Sequence, residues 1–276
     1  MSRQTCEICP HHCAIQEGHT GICRARGNRG GKIRAINYAL VSSIALDPIE
    51  KKPLARFYPG SFVLSVGSFG CNFKCPFCQN YEISTADLEH AYTREILPEE
   101  LVERALSLKQ KGSIGIAYTY NEPLVGYEYV YDCAVLAKKK GLKNVVVSNG
   151  YICREPLLAL LPYIDAFNID LKAYSEEFYH KIGGDLKTVK QSIELAAQSS
   201  HVEVTTLVIP GENDGEEEIR SLSRWLASVD PGIPLHLTRF FPLYKMRDKS
   251  MTEKSLLQKL QKIAEESLKY VYVGNC

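Results

Sequence analysis

Cys71, Cys75 and Cys78 fall within the segment SVGSFGCNFKCPFCQN, spaced Cys-x3-Cys-x2-Cys. Three thiols so close in sequence converge on one ligand rather than serve as separate core residues. Thiolates select zinc or iron–sulfur clusters. A structural zinc site normally takes four protein ligands, and His90 is the only His or Cys among the twenty residues that follow the run. Three sulfurs leave one iron of a four-iron cluster without a protein ligand, and that open iron can bind a substrate or cofactor. Gly70, Asn72 and Pro76 suit a loop that curls around such a group. The rival reading is a zinc site, or a disulfide pair with a spare Cys.

The loop follows the apolar run Phe62-Val-Leu-Ser-Val66, which reads as a buried strand. From residue 62 onward, strand-like runs alternate with helix-period segments. The pattern predicts strands over 62–67, 114–120, 143–148, 164–170, 202–208 and 234–240, with a short seventh at Tyr270–Val273. Helices are expected near 98–110, 125–140, 154–161, 186–199, 214–228 and 252–268. Pro98-Glu-Glu has the composition of a helix first turn, and Gly141 reads as a helix stop. Six β-then-α units in series imply a parallel sheet with right-handed crossovers. Six are too few to close an eight-fold barrel, so the expected fold is an α/β, open, partial (β/α)6 barrel over residues 62–276. Barrels of this kind place their chemistry at strand C-terminal ends.

Two segments precede the barrel. Residues 1–30 hold four of the ten Cys and three of the seven His, and read as a small Cys-rich metal-binding module. Residues 31–61 read as a connector, ordered but irregular, with Asp47-Pro-Ile-Glu-Lys-Lys-Pro53 and Tyr58-Pro-Gly60. Cys6, Cys9, Cys13 and Cys23 have little core around them and suggest a metal staple. Zinc is the plainer occupant. A second iron–sulfur cluster would add a one-electron carrier ahead of the barrel. Cys133 reads as a core thiol and Cys276 as inert.

Apolar residues make up 45% of the chain, enough for a substantial core. The formal net charge of +1 gives no reason to expect a nucleic acid or an anionic membrane as partner. No apolar run approaches the ~20 residues of a spanning helix. The first residues lack a signal peptide's apolar stretch, so a cytoplasmic setting is expected, with thiols reduced or metal-bound.

The Cys run, with Phe77 before its third Cys, resembles the radical S-adenosylmethionine (SAM) signature. The resemblance implies a [4Fe-4S] cluster whose open iron chelates SAM, and a six-unit barrel. It also implies reductive cleavage of SAM to a 5′-deoxyadenosyl radical that abstracts a substrate hydrogen, with reduced ferredoxin or flavodoxin as electron donor. In that family the loop after the second strand usually reads Gly-Gly-Glu-Pro and holds the SAM ammonium. Here Asn121, Glu122 and Pro123 occupy that place without the glycines. Asn121 has a second reading, as the cap of the following helix. Asn149 and Asp170, at the ends of the third and fourth strands, resemble ribose- and methionine-contacting positions. Lys172 is placed for a carboxylate or for an ion pair with Asp170. The segment Val208-Ile-Pro-Gly-Glu-Asn-Asp214 resembles the one that packs near adenine.

On the sixth strand, alternation puts His236 and Thr238 on one face, and Leu237 and Arg239 on the other. His236 is the expected pocket residue and Arg239 the weaker candidate. Across the whole chain, Cys-x2-Cys-Pro, Asp47-Pro-Ile-Glu-Lys-Lys-Pro53, Phe57-Tyr-Pro-Gly60 and the Cys71 run resemble the radical SAM member of the AmmeMemoRadiSam system, which is pyruvate formate-lyase activating enzyme-like. That resemblance implies a Memo-type partner. Many members continue into a further Cys-containing tail, whereas this sequence stops at Cys276. Activation of a glycyl-radical enzyme is the alternative within the same chemistry. A non-catalytic zinc-binding interaction protein is the alternative outside it.

Overall fold

The structure, a computed structural model, describes residues 3–275. Two hairpins open it. β1 (Arg3–Thr5) pairs antiparallel with β2 (Ala14–Gln16), and β3 (Arg26–Arg29) with β4 (Lys32–Ala35). The turn of the second hairpin, Gly30-Gly31, lies where the Cys-rich module was expected to give way to the connector. Next come β5 (Leu40–Val41), β6 (Ser43–Pro48), β7 (Phe62–Gly67), the short α1 (Tyr81–Ser84) and β8 (Arg94–Glu95), which pairs back onto β5.

The repeating part follows: α2 (Pro98–Ser107), β9 (Ser113–Tyr118), α3 (Tyr127–Lys139), β10 (Lys143–Ser148), α4 (Arg154–Leu160) and β11 (Ala166–Asp170). It continues with α5 (Glu176–Ile182), α6 (Leu186–Ala197), β12 (His201–Val208), α7 (Glu216–Val229), β13 (Leu235–Arg239), α8 (Lys254–Glu265) and β14 (Val271–Gly274). The main sheet has the order β14-β13-β12-β11-β10-β9-β7-β6 and is parallel from β7 to β14. It does not close, so the open, partial barrel expected from the sequence is the observed fold. Outward residues such as Val66, Ile116, Val146, Phe167, Val204 and Leu237 pack with Leu101, Val130, Ile193, Leu222 and Leu260 of the helices. Cys133 lies in that core with no exposure. Among the described residues no helix is long and apolar enough to cross a membrane. Cys276 lies outside the described residues.

The connector departs from expectation. It is not irregular throughout, because β6 pairs antiparallel along β7 from Ser43↔Gly67 to Pro48↔Phe62 and forms one edge of the sheet. Its prolines do not prevent this. Pro48 is the last residue of an edge strand, and Pro53 and Pro59 come later, where a missing N–H breaks no ladder.

After β6 the chain turns into the barrel. Ile49, Leu54 and Phe57 pack against Val63, Ala117, Val145 and Ala166 of the strands. The Pro53 carbonyl accepts from Asn168 Nδ2 (2.8 Å), and the Ala55 and Arg56 N–H groups donate to the two carboxylate oxygens of Glu203 (2.9 and 2.7 Å). This plug fills the interior below the cavity.

His236 belongs to the plug rather than to a pocket. It shares Thr238's face as alternation requires, but it lies deeper. Its Nε2 is 2.6 Å from Glu203 Oε2, and its ring stacks on Tyr272 at 5.2 Å. Arg239 is also turned away from the cavity. Its Nε donates to the Thr252 carbonyl (2.7 Å) and its guanidinium lies over Phe241. The inward residue nearest the strand end is Thr238.

Candidate active site

The three-cysteine loop leaves β7 at Gly67 and is held from several sides. Asn121 clamps its start: Oδ1 accepts from Ser68 N (2.9 Å), and Nδ2 donates to the carbonyls of Phe69 (3.1 Å) and Gly70 (3.0 Å). Lys74 N donates to Ile182 O (2.9 Å), and Lys245 N to Pro76 O (3.0 Å). Phe73 packs against Tyr151 and Tyr179, and Phe77 against Phe178. Gly70 has φ +88, and a Cβ there would lie 2.5 Å from the Cys23 carbonyl and 2.8 Å from Ala25 Cβ. Gly70→Ala therefore combines a left-handed backbone penalty of about 1–2 kcal/mol with a backbone collision. The expected result is a lower thermal midpoint and reduced iron incorporation at the loop, read by calorimetry and iron analysis. An unchanged midpoint would show that the loop yields at no cost.

The three thiols, all free, line one cavity of about 340 Å3, together with Phe77, Asn121, Glu122, Asn149, Asp170 and Lys172. Of the barrel residues singled out in the sequence as site candidates, His236 and Arg239 lie outside this cavity. Burial pushes the Cys75 thiol up to about 12, an effect that the Lys172 charge partly offsets. Cys71 is also pushed up by burial, and the charge of Glu122 adds to this. Thiols so placed ionise when a metal centre takes their protons' place. Three thiols of one loop facing a single cavity are donors that suit a thiolate-bound iron–sulfur cluster.

Glu122 is fixed by three donors. Leu124 N (3.1 Å) and Ser148 Oγ (2.8 Å) bond Oε1, and Asn149 N (2.8 Å) bonds Oε2. It is Glu122, not Asn121, that caps the following turn, Pro123–Gly126. Asn121 has its side chain committed to the cysteine loop. Burial raises the Glu122 carboxyl to about 7 against those three hydrogen bonds. Asn149 Nδ2 donates to Asn72 Oδ1 (2.8 Å) and approaches Cys71 Sγ (3.8 Å). Lys172 Nζ meets Asp170 Oδ2 at 2.6 Å, so the ion pair and the cavity position are both real. Burial opposes the lysine charge, but Asp170 and Cys75 outweigh it and the pKa is raised. Asn213 ties the segment after β12 to the end of β11 through the carbonyls of Leu207 (2.9 Å) and Lys172 (2.7 Å).

Several lining residues were not offered as site candidates from the sequence. Thr205 and Thr238 are the inward positions of β12 and β13, and alternation from Asp170 and His236 leads to them. Lys51 and Tyr120 line the plug side. Tyr120 has φ +72, and its carbonyl accepts from Asn80 Nδ2 (2.7 Å). Its hydroxyl donates to Asp47 Oδ2 (2.8 Å), which Lys52 Nζ also reaches (2.9 Å). The Asp-Pro-Ile-Glu-Lys-Lys-Pro motif is therefore wall and floor of the site.

The N-terminal cysteines lie against the back of the same loop. Cys6, Cys9 and Cys23 are buried. They are near enough that each of Cys9 and Cys23 feels the charge of Cys6. Cys6 N donates to Cys13 O (3.0 Å), and the position of a Cβ on Gly21 would lie 3.4 Å from Cys13 Sγ.

The Radical SAM superfamily matches residues 65–223. An uncharacterized Methanocaldococcus jannaschii protein is 43% identical over 274 residues, covering 98% of this chain and 80% of the relative. Pyruvate formate-lyase 1-activating enzyme of Escherichia coli is 23% identical over 206 residues, covering 73% and 83%. A radical SAM methyltransferase from Sphaerobacter thermophilus superposes with TM-score 0.59 at 16% identity over 88% of this chain and 71% of that one, a likeness of fold. With the superfamily match spanning more than half of its length and the three cysteines inside it, the chain belongs to the radical SAM superfamily.

Proposed function

We propose that this enzyme of the radical SAM type uses Cys71, Cys75 and Cys78 to hold a [4Fe-4S] cluster and binds SAM in the adjoining cavity. When bound, the two together supply one-electron cleavage to methionine and a 5′-deoxyadenosyl radical, the species that takes a hydrogen atom from the substrate. The observation that carries this reading is the convergence of three thiols and the polar strand ends on one cavity. Glu122, pre-oriented by three donors, accepts from the SAM ammonium. Asn149 and Asp170 bind ribose hydroxyls, and Lys172 answers the SAM carboxylate from beside Asp170. Phe73 and Phe77 exclude water from the thiols. The test is anaerobic reconstitution, then dithionite and SAM. A loaded protein that yields no 5′-deoxyadenosine would sink the proposal.

Glu122→Gln turns an amide NH2 toward donors that now meet a carboxylate. SAM affinity is expected to fall about 10–100-fold, the cost of a lost charge-assisted hydrogen bond. Isothermal titration on the reconstituted variant checks it, and unchanged affinity would remove Glu122 from the binding set.

The segments from Cys-x2-Cys-Pro through the Cys71 run support a place in the AmmeMemoRadiSam system, with a Memo-type partner and reduced ferredoxin or flavodoxin as donor. In this reading Cys6, Cys9, Cys13 and Cys23 hold a metal centre of their own, zinc or iron–sulfur. A second reading, activation of a glycyl-radical protein, draws on the activating-enzyme relatives. The plug that fills the lower interior favours a smaller substrate. Deoxyadenosine formation that depends on metabolite extract supports the first reading, and dependence on a glycyl-radical protein supports the second.

A further inference from the structure

The main sheet does not close, so β6 and β14 are its two edges. Lys51, just after β6, and Asn275, just after β14, both line the cavity. Among the described residues β6 pairs with β7 alone. Alternate residues of β6 therefore turn an N–H and a C=O outward with no strand beside them. Such an edge is a template for a further strand. The chain already uses the template just upstream. β5 and β6 are separated by Ser42 alone, and β8 lies antiparallel on β5, with Leu40 opposite Glu95 and Val41 opposite Arg94. The Leu40 carbonyl accepts from Ser68 Oγ (2.6 Å), just after β7, whereas the Ala39 carbonyl accepts from Ile96 N (2.8 Å), just after β8. β8 thus lies on the side away from β7, which is the side of the free edge of β6.

Carried on, the β5–β8 register would set Thr93 and Tyr92 beside Ser42 and Ser43. The chain leaves that line instead. Tyr92 is 97% exposed, and a groove of about 740 Å3 opens where the ladder stops, lined by residues 41–45, 92–94 and Tyr120. An extended segment laid along this line can pair with the outward groups of β6 as β8 pairs with β5. Its direction is set by charge. Running antiparallel to β6, it brings its carboxyl end to the place before Arg94, which is exposed and lines the groove. Running parallel, it would bring an amino end to the same cation. A carboxylate on a guanidinium is the favourable pairing. The groove also adjoins the site. Tyr120 lines both groove and cavity, and Ser42 Oγ donates to Ser68 O (2.6 Å) at the start of the three-cysteine loop.

We propose that the groove along β6 receives the carboxyl-terminal segment of a partner protein as an added antiparallel strand, with its terminal carboxylate on Arg94. The occupant lies beside the cavity and not inside it. The inference therefore goes beyond the proposed reaction and holds whichever molecule reacts.

The test screens the full chain against a library of octapeptides displayed with free carboxyl termini, and the enriched sequences are synthesised as acids and as amides. The acids are expected to bind with Kd of about 10–100 μM, and amidation to weaken them about tenfold. Arg94→Gln is expected to weaken the acid by the same factor and to leave the amide unchanged. N-methylation along the peptide should abolish binding at every second residue only, the period of a strand paired along one edge. Hydrogen exchange at residues 43–46 should slow about tenfold in the complex. The proposal is overturned if no peptide binds more tightly than about 1 mM, if acid and amide bind equally, or if the N-methyl losses lack a period of two. A stable dimer of the chain protected at residues 43–46 gives the edge to a second copy and overturns it as well. The peptide measurements involve neither the cluster nor SAM, so their failure leaves the proposed reaction standing.

Discussion

Cys75→Ala is expected to lower 5′-deoxyadenosine formation by at least about a thousandfold while leaving the fold intact, a loss of at least about 4 kcal/mol in barrier terms. The three-cysteine loop has no spare donor. Cys133 is in the helix core and Cys153 carries its N–H to Ile8 O (2.9 Å) on the far side of the loop. Two thiols cannot retain a centre that three hold. Stability should change little, because Cys75 is only partly buried and the loop is held by Asn121, Ile182 and Lys245 rather than by the thiols. The expected ΔΔG lies within about 1–2 kcal/mol. Iron content, product assay and circular dichroism measured on one preparation separate the two effects. A variant that keeps its iron and its turnover would show that Cys75 is not a ligand.

The second large effect is expected far from the thiols. Glu203 has no exposed surface and takes hydrogen bonds from His201 (2.9 Å), His236 (2.6 Å) and the N–H groups of Ala55 and Arg56. Glu203→Ala leaves all four without an acceptor and frees the plug. The cost should be about 3–5 kcal/mol, or a thermal midpoint lower by about 10 °C for a chain of this size. The pH dependence has a definite sign. Burial alone would raise this carboxyl, but its four donors outweigh burial and hold it at about 2, below the usual 4.5. A depressed carboxyl stabilises fully above the unfolded value and loses that contribution as pH falls toward the folded one. About 3 kcal/mol should disappear between pH 4.5 and 2 in the unsubstituted protein. The alanine variant should show a shallower slope across the same window. Parallel slopes for the two proteins would mean that Glu203 is not the group that titrates.

The strands and the ligand loop were legible because their signals are local. Val145-Val-Val147 and Phe62-Val-Leu64 read as buried strands from composition alone, and three thiols in eight residues need no tertiary information. His236 shows where local reading ends. Alternation gives its face correctly, but its depth depends on a segment about 180 residues earlier that enters the barrel and brings Glu203 its donors. Asn121 shows the same limit. A cap was a fair expectation for an Asn before a helix, yet the backbone of residues 68–70, arriving from β7, claims the whole side chain. α5, seven residues ended by Gly183 in the left-handed region, was not read from the sequence. Lys172 was read as pairing with Asp170 or as reaching a carboxylate; the geometry shows the pair and puts both side chains on the cavity.

The superfamily match begins at residue 65, but the inner wall of the barrel does not. Ile49, Leu54 and Phe57 supply side chains to the interior, and β6 supplies a sheet edge. A fragment cut to the matched boundaries would open Ala117, Val145 and Ala166 to water, cut through β7 and remove its neighbour β6. Grafting, circular permutation or domain exchange with this scaffold therefore has to carry the stretch from Ser43 onward as an inseparable part of the catalytic body.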